Sequence, residues 1–495
     1  MAEPFKNLVD GKWIESLSGQ SFPSANPADR SQVLGLFPRS DHRDVDRAVQ
    51  AALRHYANWR KVSSRERAAV LFRGAAILAE QKEQVAALIT KEVGKLLHES
   101  RAEVEHTIEL IDVVATEARG FSGEVTPSEL SDSLAMDVRV PVGVVAAISA
   151  WDFPLATPAS TLVTALVAGN TVVFKPAEES PLVATRLVKL LEEAGLPPGT
   201  LNLVHGLGED AGAPLVRHPD VALVSFTGSS QIGREVAIAA AAERKRLSLE
   251  NVDSSAIIVM EDADLDLAID VAVPAAFASS GQRRGAASTL VVHRKVLKEC
   301  TDRVVRRAEA LRLGDGLASE TDLGPVISET RLRKIHRYAK LAVKQGAKVL
   351  TGGEPYKKGE CAKGFFYLPT VIGDVGMKMR IAHEEIFGPA VSIIAAADLD
   401  EAIAIVNAIR RWVSVGLHTR DIRRACMAAG QIETGTVHVN PAAPGIEFRL
   451  AFGGARQGRG DHRPGSGTTR IDHFSDRKTL YLDFGAPRSH PRAEK

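Results

Sequence analysis

Val142-Gly-Val-Val-Ala-Ala-Ile-Ser-Ala-Trp-Asp-Phe-Pro154 opens the part of the chain that decides the fold. Its first seven residues are an apolar run of the kind that forms a strand buried on both faces. Three more such runs follow, Thr171-Val-Val-Phe174, Leu201-Asn-Leu-Val204 and Val221-Ala-Leu-Val-Ser-Phe226, with helical stretches between them. That alternation predicts a parallel α/β sheet. A second series starts at Ala256-Ile-Ile-Val-Met260 and continues through Ser288-Thr-Leu-Val-Val292 and Pro389-Ala-Val-Ser-Ile393. It implies a second α/β domain, with the boundary near Leu249-Glu250.

Upstream, Val45, Ala48, Ala52, Tyr56 and Trp59 recur at helical spacing, which predicts an amphipathic helix. Ser63 and Glu66 form a capping box for a helix expected to run toward Gly94, and a third helix follows over 99–119. Strand-like segments over 121–139 and 479–484 lie outside both series, and the tail 485–495 has no periodicity.

The whole-chain numbers narrow the function. With 495 residues, 45% hydrophobic and 5% aromatic, the chain can bury a large core. Its 62 Lys plus Arg balance 61 Asp plus Glu, so nothing favours nucleic acid or an anionic membrane. Cys300, Cys361 and Cys426 are odd in number and far apart, which points to a reducing, cytoplasmic compartment. The N-terminus has no basic stretch before an apolar core, so no secretory signal is expected. Apolar runs are interrupted before the roughly 18 to 20 residues that span a bilayer. His383-Glu-Glu385 lacks the second histidine of a zinc helix, and His418 and His438 have no ligand spacing, so no metal is expected.

Specific blocks then carry a resemblance. Ile148-Ser-Ala-Trp-Asp-Phe-Pro154 resembles the I-x-P-W-N-F-P block of the aldehyde dehydrogenase family, and Phe174-Lys-Pro-Ala-Glu-Glu-Ser-Pro181 its F-K-P-A-E-x-T-P block. Phe226-Thr-Gly-Ser229, His383-Glu-Glu-Ile-Phe-Gly-Pro389 and Phe452-Gly-Gly454 follow in the family's order. The resemblance implies an aldehyde dehydrogenase-like α/β fold with a Rossmann-like cofactor domain, a catalytic-type domain and a small β oligomerisation element. On this basis 1–120 and 141–249 are expected to bind NAD, and 250–445 to form the catalytic-type domain. The segments 121–140 and 470–495 would carry oligomerisation, with 446–469 connecting.

Trp151, Lys175, Glu178, Gly228, Ser229, Glu385 and Phe387 are the expected cofactor residues. An acidic side chain after the second strand suits ribose hydroxyls and favours NAD over NADP. Gly228-Ser229 opens a helix near Ser230, whose free N–H groups would face the pyrophosphate.

The chemical blocks depart from the family. Glu250 holds the general-base position, and 34 residues later Gly281-Gln-Arg-Arg284 holds the nucleophile block with arginine in place of cysteine. A guanidinium is charged at any accessible pH and is no nucleophile, which closes the covalent route. Asp152 replaces an asparagine that helps hold the oxyanion, and a carboxylate repels that charge. Val252 and Asp253 replace two glycines, while Arg411-Trp-Val-Ser414 and Asp461-His-Arg-Pro464 replace Y-G-L-S and G-H-R-E.

Asp152 and Arg284 are expected to pair across the old centre, with Glu250 as the competing partner, since either charge alone would be costly to bury. Two functions stay open. One is a repurposed oxidoreductase with Glu250, Arg284 and Asp152 as its catalytic residues, Arg284 orienting an anionic or carbonyl substrate. The other is a silent pseudoenzyme, acting as a scaffold or a subunit of a mixed oligomer. A homodimer or homotetramer fits either. A fixed guanidinium beside the nicotinamide would disfavour the oxidised, cationic cofactor and so favour reduction or non-redox use of it.

Overall fold

The computed structural model describes residues 3–120, 123–129, 131–251, 254–409, 412–441 and 468–484. Its first strands are β1 (Asn7–Val9), β2 (Lys12–Ile14), β3 (Ser21–Ala25), β4 (Val33–Pro38), β5 (Glu124–Pro127) and β6 (Ser133–Pro141). Next come β7 (Val144–Ile148), β8 (Thr171–Lys175), β9 (Leu201–Leu203), β10 (Val221–Gly228) and β11 (Arg246–Asn251). The later part adds β12 (Ser254–Val259), β13 (Ala287–His293), β14 (Lys348–Thr351) and β15 (Thr370–Gly373). It ends with β16 (Ala390–Ala396), β17 (Trp412–His418), β18 (Thr436–Val439) and β19 (Ser475–Asp483).

Among the described residues these form two seven-stranded sheets, ordered β11-β10-β7-β8-β9-β1-β2 and β14-β15-β16-β13-β12-β17-β18. The expected parallel pairing holds throughout β7 to β11 and from β15 to β18, with antiparallel partners only at one edge of each sheet. A three-stranded antiparallel sheet, β19-β6-β5, stands apart and joins the two segments expected outside the main sheets.

Both large sheets share one connectivity. From β7 the chain steps outward through β8 and β9, then returns to the other side of β7 for β10 and β11; β12, β13 and β16 followed by β17 and β18 repeat it. Each sheet therefore has a switch point where neighbouring connections diverge, and a crevice opens beyond the strand ends there. In the second sheet the protein fills this crevice itself. Asp262 accepts hydrogen bonds from Thr419 Oγ1 and from the N–H groups of Arg420 and Asp421. In the first sheet, Trp151 and Ser229 stand beyond the ends of β7 and β10.

Local expectations are met with two differences. The Ser63–Glu66 capping box forms, but its helix ends at Glu80 and a new one, Lys82–Val93, starts after Gln81 and stops at left-handed Gly94. Apolar periodicity continues across Gln81, so the break leaves no trace in the pattern. β11 is not among the expected apolar runs: it continues to Asn251, with Glu250 paired to Thr227, and the second sheet begins at Ser254. Polar Glu250 and Asn251 obscured a parallel edge strand. Val252, Asp253, Arg411, the 452–454 and 461–464 blocks and the tail from 485 lie outside the described residues. No described helix is long and apolar enough to cross a membrane.

Candidate active site

Two loops and the end of a strand converge beyond the first sheet. The turn after β7 carries Trp151, Asp152 and Phe153 into the helix Ala156–Val167. β11 presents Glu250, and the loop before β13 presents Arg284.

That last loop is fixed by its backbone. Ser279, Ser280 and Gly281 all have positive φ, at 51°, 55° and 65°. A Cβ on Gly281 would lie 2.1 Å from the carbonyl oxygen of Gly388, so only glycine fits. The Ser279 N–H donates to Glu99, Ser280 Oγ to the Gly324 carbonyl, and Gln282 accepts from the Ile327 N–H. Arg284 is thereby aimed at a set position.

Its guanidinium sits between two carboxylates. Nε donates to Asp152 Oδ2 at 3.1 Å and Nη1 to Glu250 Oε2 at 3.1 Å, while Nη2 donates to Thr157 Oγ1. The Arg284 backbone N–H adds a bond to Asp152 Oδ2 at 3.2 Å. The expected Asp152 pair is thus present, and Glu250 is a second partner rather than a rival. Burial works against the Arg284 charge, but Asp152 and Glu250 outweigh it and raise its pKa. Two carboxylates thus face the one guanidinium. Three of the five guanidinium N–H groups are given to the protein, one each from Nε, Nη1 and Nη2.

Two cations lie over the Phe153 ring, Arg284 Cζ at 5.6 Å and Lys95 Nζ at 4.0 Å from its centroid. Lys95 pairs with buried Glu103 at 2.6 Å, and Glu103 Oε1 accepts from the Leu155 and Ala156 N–H groups. Sequence reading missed Thr157, Phe153, Lys95 and Glu103. Lys95 and Glu103 are eight residues apart with no motif, and only the packing brings them under Phe153.

The expected cofactor residues fall into two groups. At the first-sheet crevice, Lys175 ends β8 and pairs with half-exposed Glu178 at 3.1 Å, and Ser229 caps the helix Ser230–Ala242 by accepting from the Ile232 N–H. Gly228 ends β10 just before that cap. On the facing side, Trp151 and Phe387 meet edge to face at 5.6 Å, and Glu385 Oε1 accepts from Ser254 Oγ. Arg331, not anticipated, lies over both rings, 5.1 Å from Phe387 and 6.0 Å from Trp151. The site is compatible with a nicotinamide dinucleotide: the first N–H groups of a thirteen-residue helix have no carbonyl ahead of them, and Glu178 keeps an open carboxylate edge.

The three cysteines stand elsewhere. Cys300 is packed in the core between the helices Leu265–Phe277 and Leu297–Glu309, where burial pushes its thiol up to about 11. Cys361 is also buried and its thiol raised, while Cys426 is exposed on the helix Ile422–Gln431.

The family model described as "Aldehyde dehydrogenase family" matches residues 13–480. The chain belongs to the aldehyde dehydrogenase family. Alpha-ketoglutaric semialdehyde dehydrogenase of Bacillus subtilis is 35% identical over 478 residues, 97% of this chain and 98% of that protein. The crystal structure of betaine aldehyde dehydrogenase from Staphylococcus aureus in complex with NAD+ is similar with a TM-score of 0.95 at 29% identity, covering 99% of this chain and 96% of that one. A 3,6-anhydro-L-galactose dehydrogenase in complex with NADP gives a TM-score of 0.93 at 33% identity, over 97% of this chain and 100% of that chain. The aldehyde dehydrogenase fold, with two α/β units, is thereby established.

Proposed function

We propose that this chain is a nicotinamide-dependent oxidoreductase of the aldehyde dehydrogenase family that works without a covalent thioester, because Arg284 occupies the position of the family's nucleophile. The Asp152–Arg284–Glu250 triad carries this reading. Cys300 is no substitute, since a buried thiol with a raised pKa supplies little thiolate at neutral pH.

NAD is the cofactor this reading favours over NADP, since the Glu178 carboxylate suits ribose hydroxyls and repels a phosphate. Ser229 and the helix behind it would hold the pyrophosphate, with Gly228 leaving room; Lys175 would position Glu178; Trp151, Phe387 and Glu385 would hold the nicotinamide end. Bound, the dinucleotide supplies a hydride acceptor or donor. Around it the chain offers carboxylates, which suit a ligand with hydroxyl groups to donate. An alcohol, or an aldehyde as its hydrate, matches that demand. Glu250, whose side chain keeps 31% of its exposure and has one oxygen free of Arg284, takes the hydroxyl proton as hydride leaves carbon. For the hydrate the product would be a carboxylic acid, with no bond to the enzyme.

A second reading is a silent scaffold or a subunit of a mixed oligomer. It is favoured by the two ion pairs that hold Arg284 across the centre. Assembly through β19 and β6 as a homodimer or homotetramer suits both readings. Exposed Tyr481, Leu482 and Phe484 support it.

Calorimetric titration with NAD+ and NADH, beside turnover assays on alcohols and aldehydes, tests the proposal. Cofactor binding with Glu250-dependent turnover is expected; binding without turnover selects the scaffold, and no binding of either cofactor removes the oxidoreductase. Arg284→Cys paired with Asp152→Asn is expected to oxidise aldehydes faster than Arg284→Cys alone, because the carboxylate opposes the oxyanion.

A further inference from the structure

The rings of Trp151 and Phe387, which meet edge to face at 5.6 Å, already carry a cation in this structure. Half-buried Arg331 sets its guanidinium over both, with Cζ 5.1 Å from the Phe387 centroid and 6.0 Å from that of Trp151. Neighbouring segments hold the three together. Phe387 has a φ of 53°, a conformation that a bulky side chain adopts only where its surroundings impose it. Next to it, a Cβ on Gly388 would lie 2.4 Å from Ile335 Cδ1, so this loop is pressed on the helix Glu329–Lys344, one turn beyond Arg331. Rings and cation therefore belong to one packed unit.

The Arg331 charge is only partly compensated. Its side chain forms no hydrogen bond and no ion pair among the described residues, while its backbone N–H donates to the helix cap Ser328 Oγ. Glu179 and Glu385 attract it from beyond contact distance, and burial outweighs them, lowering its pKa. Lys334, one turn along the same helix, adds a second positive charge, and its own pKa is lowered by burial first and by Arg331 next. A guanidinium seated on ring faces alone keeps its field for whatever enters beside those rings.

We infer that Arg331 sets the redox preference of the cofactor site, raising the energy of the oxidised, cationic nicotinamide ring relative to the reduced, neutral one. The inference rests on the reading that Trp151, Phe387 and Glu385 hold the nicotinamide end. A positive ring placed against the aromatic pair meets the guanidinium already seated there, and repulsion between like charges in a part-buried site is weakly screened. Accepting a hydride from the substrate cancels the ring's charge and relieves that repulsion, so the same residue pulls the bound couple towards its reduced form. Asp152, Glu250, Glu179 and Glu385 pull the other way; a substitution of Arg331 leaves all four in place, and they drop out of the comparison that isolates it.

The test is calorimetric titration of the full-length protein with NAD+ and, separately, with NADH, in the wild type, Arg331→Met and Arg331→Lys. The Kd for NAD+ divided by that for NADH is expected to fall at least about fivefold in Arg331→Met and to stay within about twofold of the wild type in Arg331→Lys, which keeps the charge. An unchanged ratio in Arg331→Met overturns the inference, as does an equal loss of affinity for both cofactors, which would make Arg331 a general binding residue. A fall of the same size in Arg331→Lys assigns the effect to shape rather than charge and overturns it too. If the wild type binds neither cofactor, the cofactor reading falls and this inference with it; binding of both with a ratio indifferent to Arg331 removes this inference alone.

Discussion

Arg284 is 17% exposed and Asp152 1% at their side chains, so the pair is shielded from water and its loss is not screened. Removing one member of such a pair costs about 3–5 kcal/mol, because the other is left buried and uncompensated. Arg284→Met should lower the unfolding free energy in a urea titration by that amount, and adding Asp152→Asn should restore part of it. A single-variant loss below about 1 kcal/mol would contradict the triad. Sequence could pair Asp152 with Arg284 because both changes fall in blocks that meet in the family. The sharing with Glu250 needed the backbone, since the run of positive φ from Ser279 to Gly281 determines where the guanidinium points.

At the scale of elements, the helix Pro181–Glu193 follows the Lys175–Glu178 turn, and its own N-cap, Ser180, makes no side-chain capping bond. Glu92, from the helix Lys82–Val93, caps it from outside. Its carboxylate accepts from the Leu182 and Val183 N–H groups at 2.7 Å each and from Ser24 Oγ at 2.9 Å. Glu92→Ala should cost about 1–2 kcal/mol, as loss of an N-cap does, read from the urea midpoint. Burial raises the Glu92 pKa from 4.5 to about 7 against the pull of those donors. A raised folded pKa means a contribution fully present below 4.5 and lost as pH rises through about 7. Glu92→Gln should flatten that part of the stability curve. The capping box at Ser63 was legible because its partners are three residues apart; Glu92 and Leu182 are separated by 90.

Across the whole molecule, two buried histidines oppose this trend. Burial lowers His205 from 6.5 to about 3 and His418 to about 4, and among the described residues neither His418 ring nitrogen has a hydrogen-bond partner. With the folded pKa depressed, the unfolded chain takes up protons first. The stability these groups contribute is present above 6.5 and declines as pH falls through about 4 toward about 3. Stability measured by urea titration should therefore fall on the acid side in the wild type, and less steeply in a His205→Gln/His418→Gln variant. Equal slopes in both would show that other groups govern acid unfolding. The Glu92→Gln variant separates the opposing term, which acts from pH 4.5 to 7.

Local pattern determined the class of this fold. Apolar runs at strand length with helices between could only be buried parallel strands, and the capping residues marked helix starts, because both signals are written in neighbouring residues. The family blocks placed Glu250, Arg284 and Asp152 in one centre. Tertiary structure alone decided what that centre is: one guanidinium shared by two carboxylates and a threonine hydroxyl, beside a ring that Lys95 also contacts. It also decided that Asp262 closes the second sheet's crevice by holding Thr419, Arg420 and Asp421. Charge balance and pocket shape come from residues tens to hundreds of positions apart, and no local periodicity encodes distances of that kind.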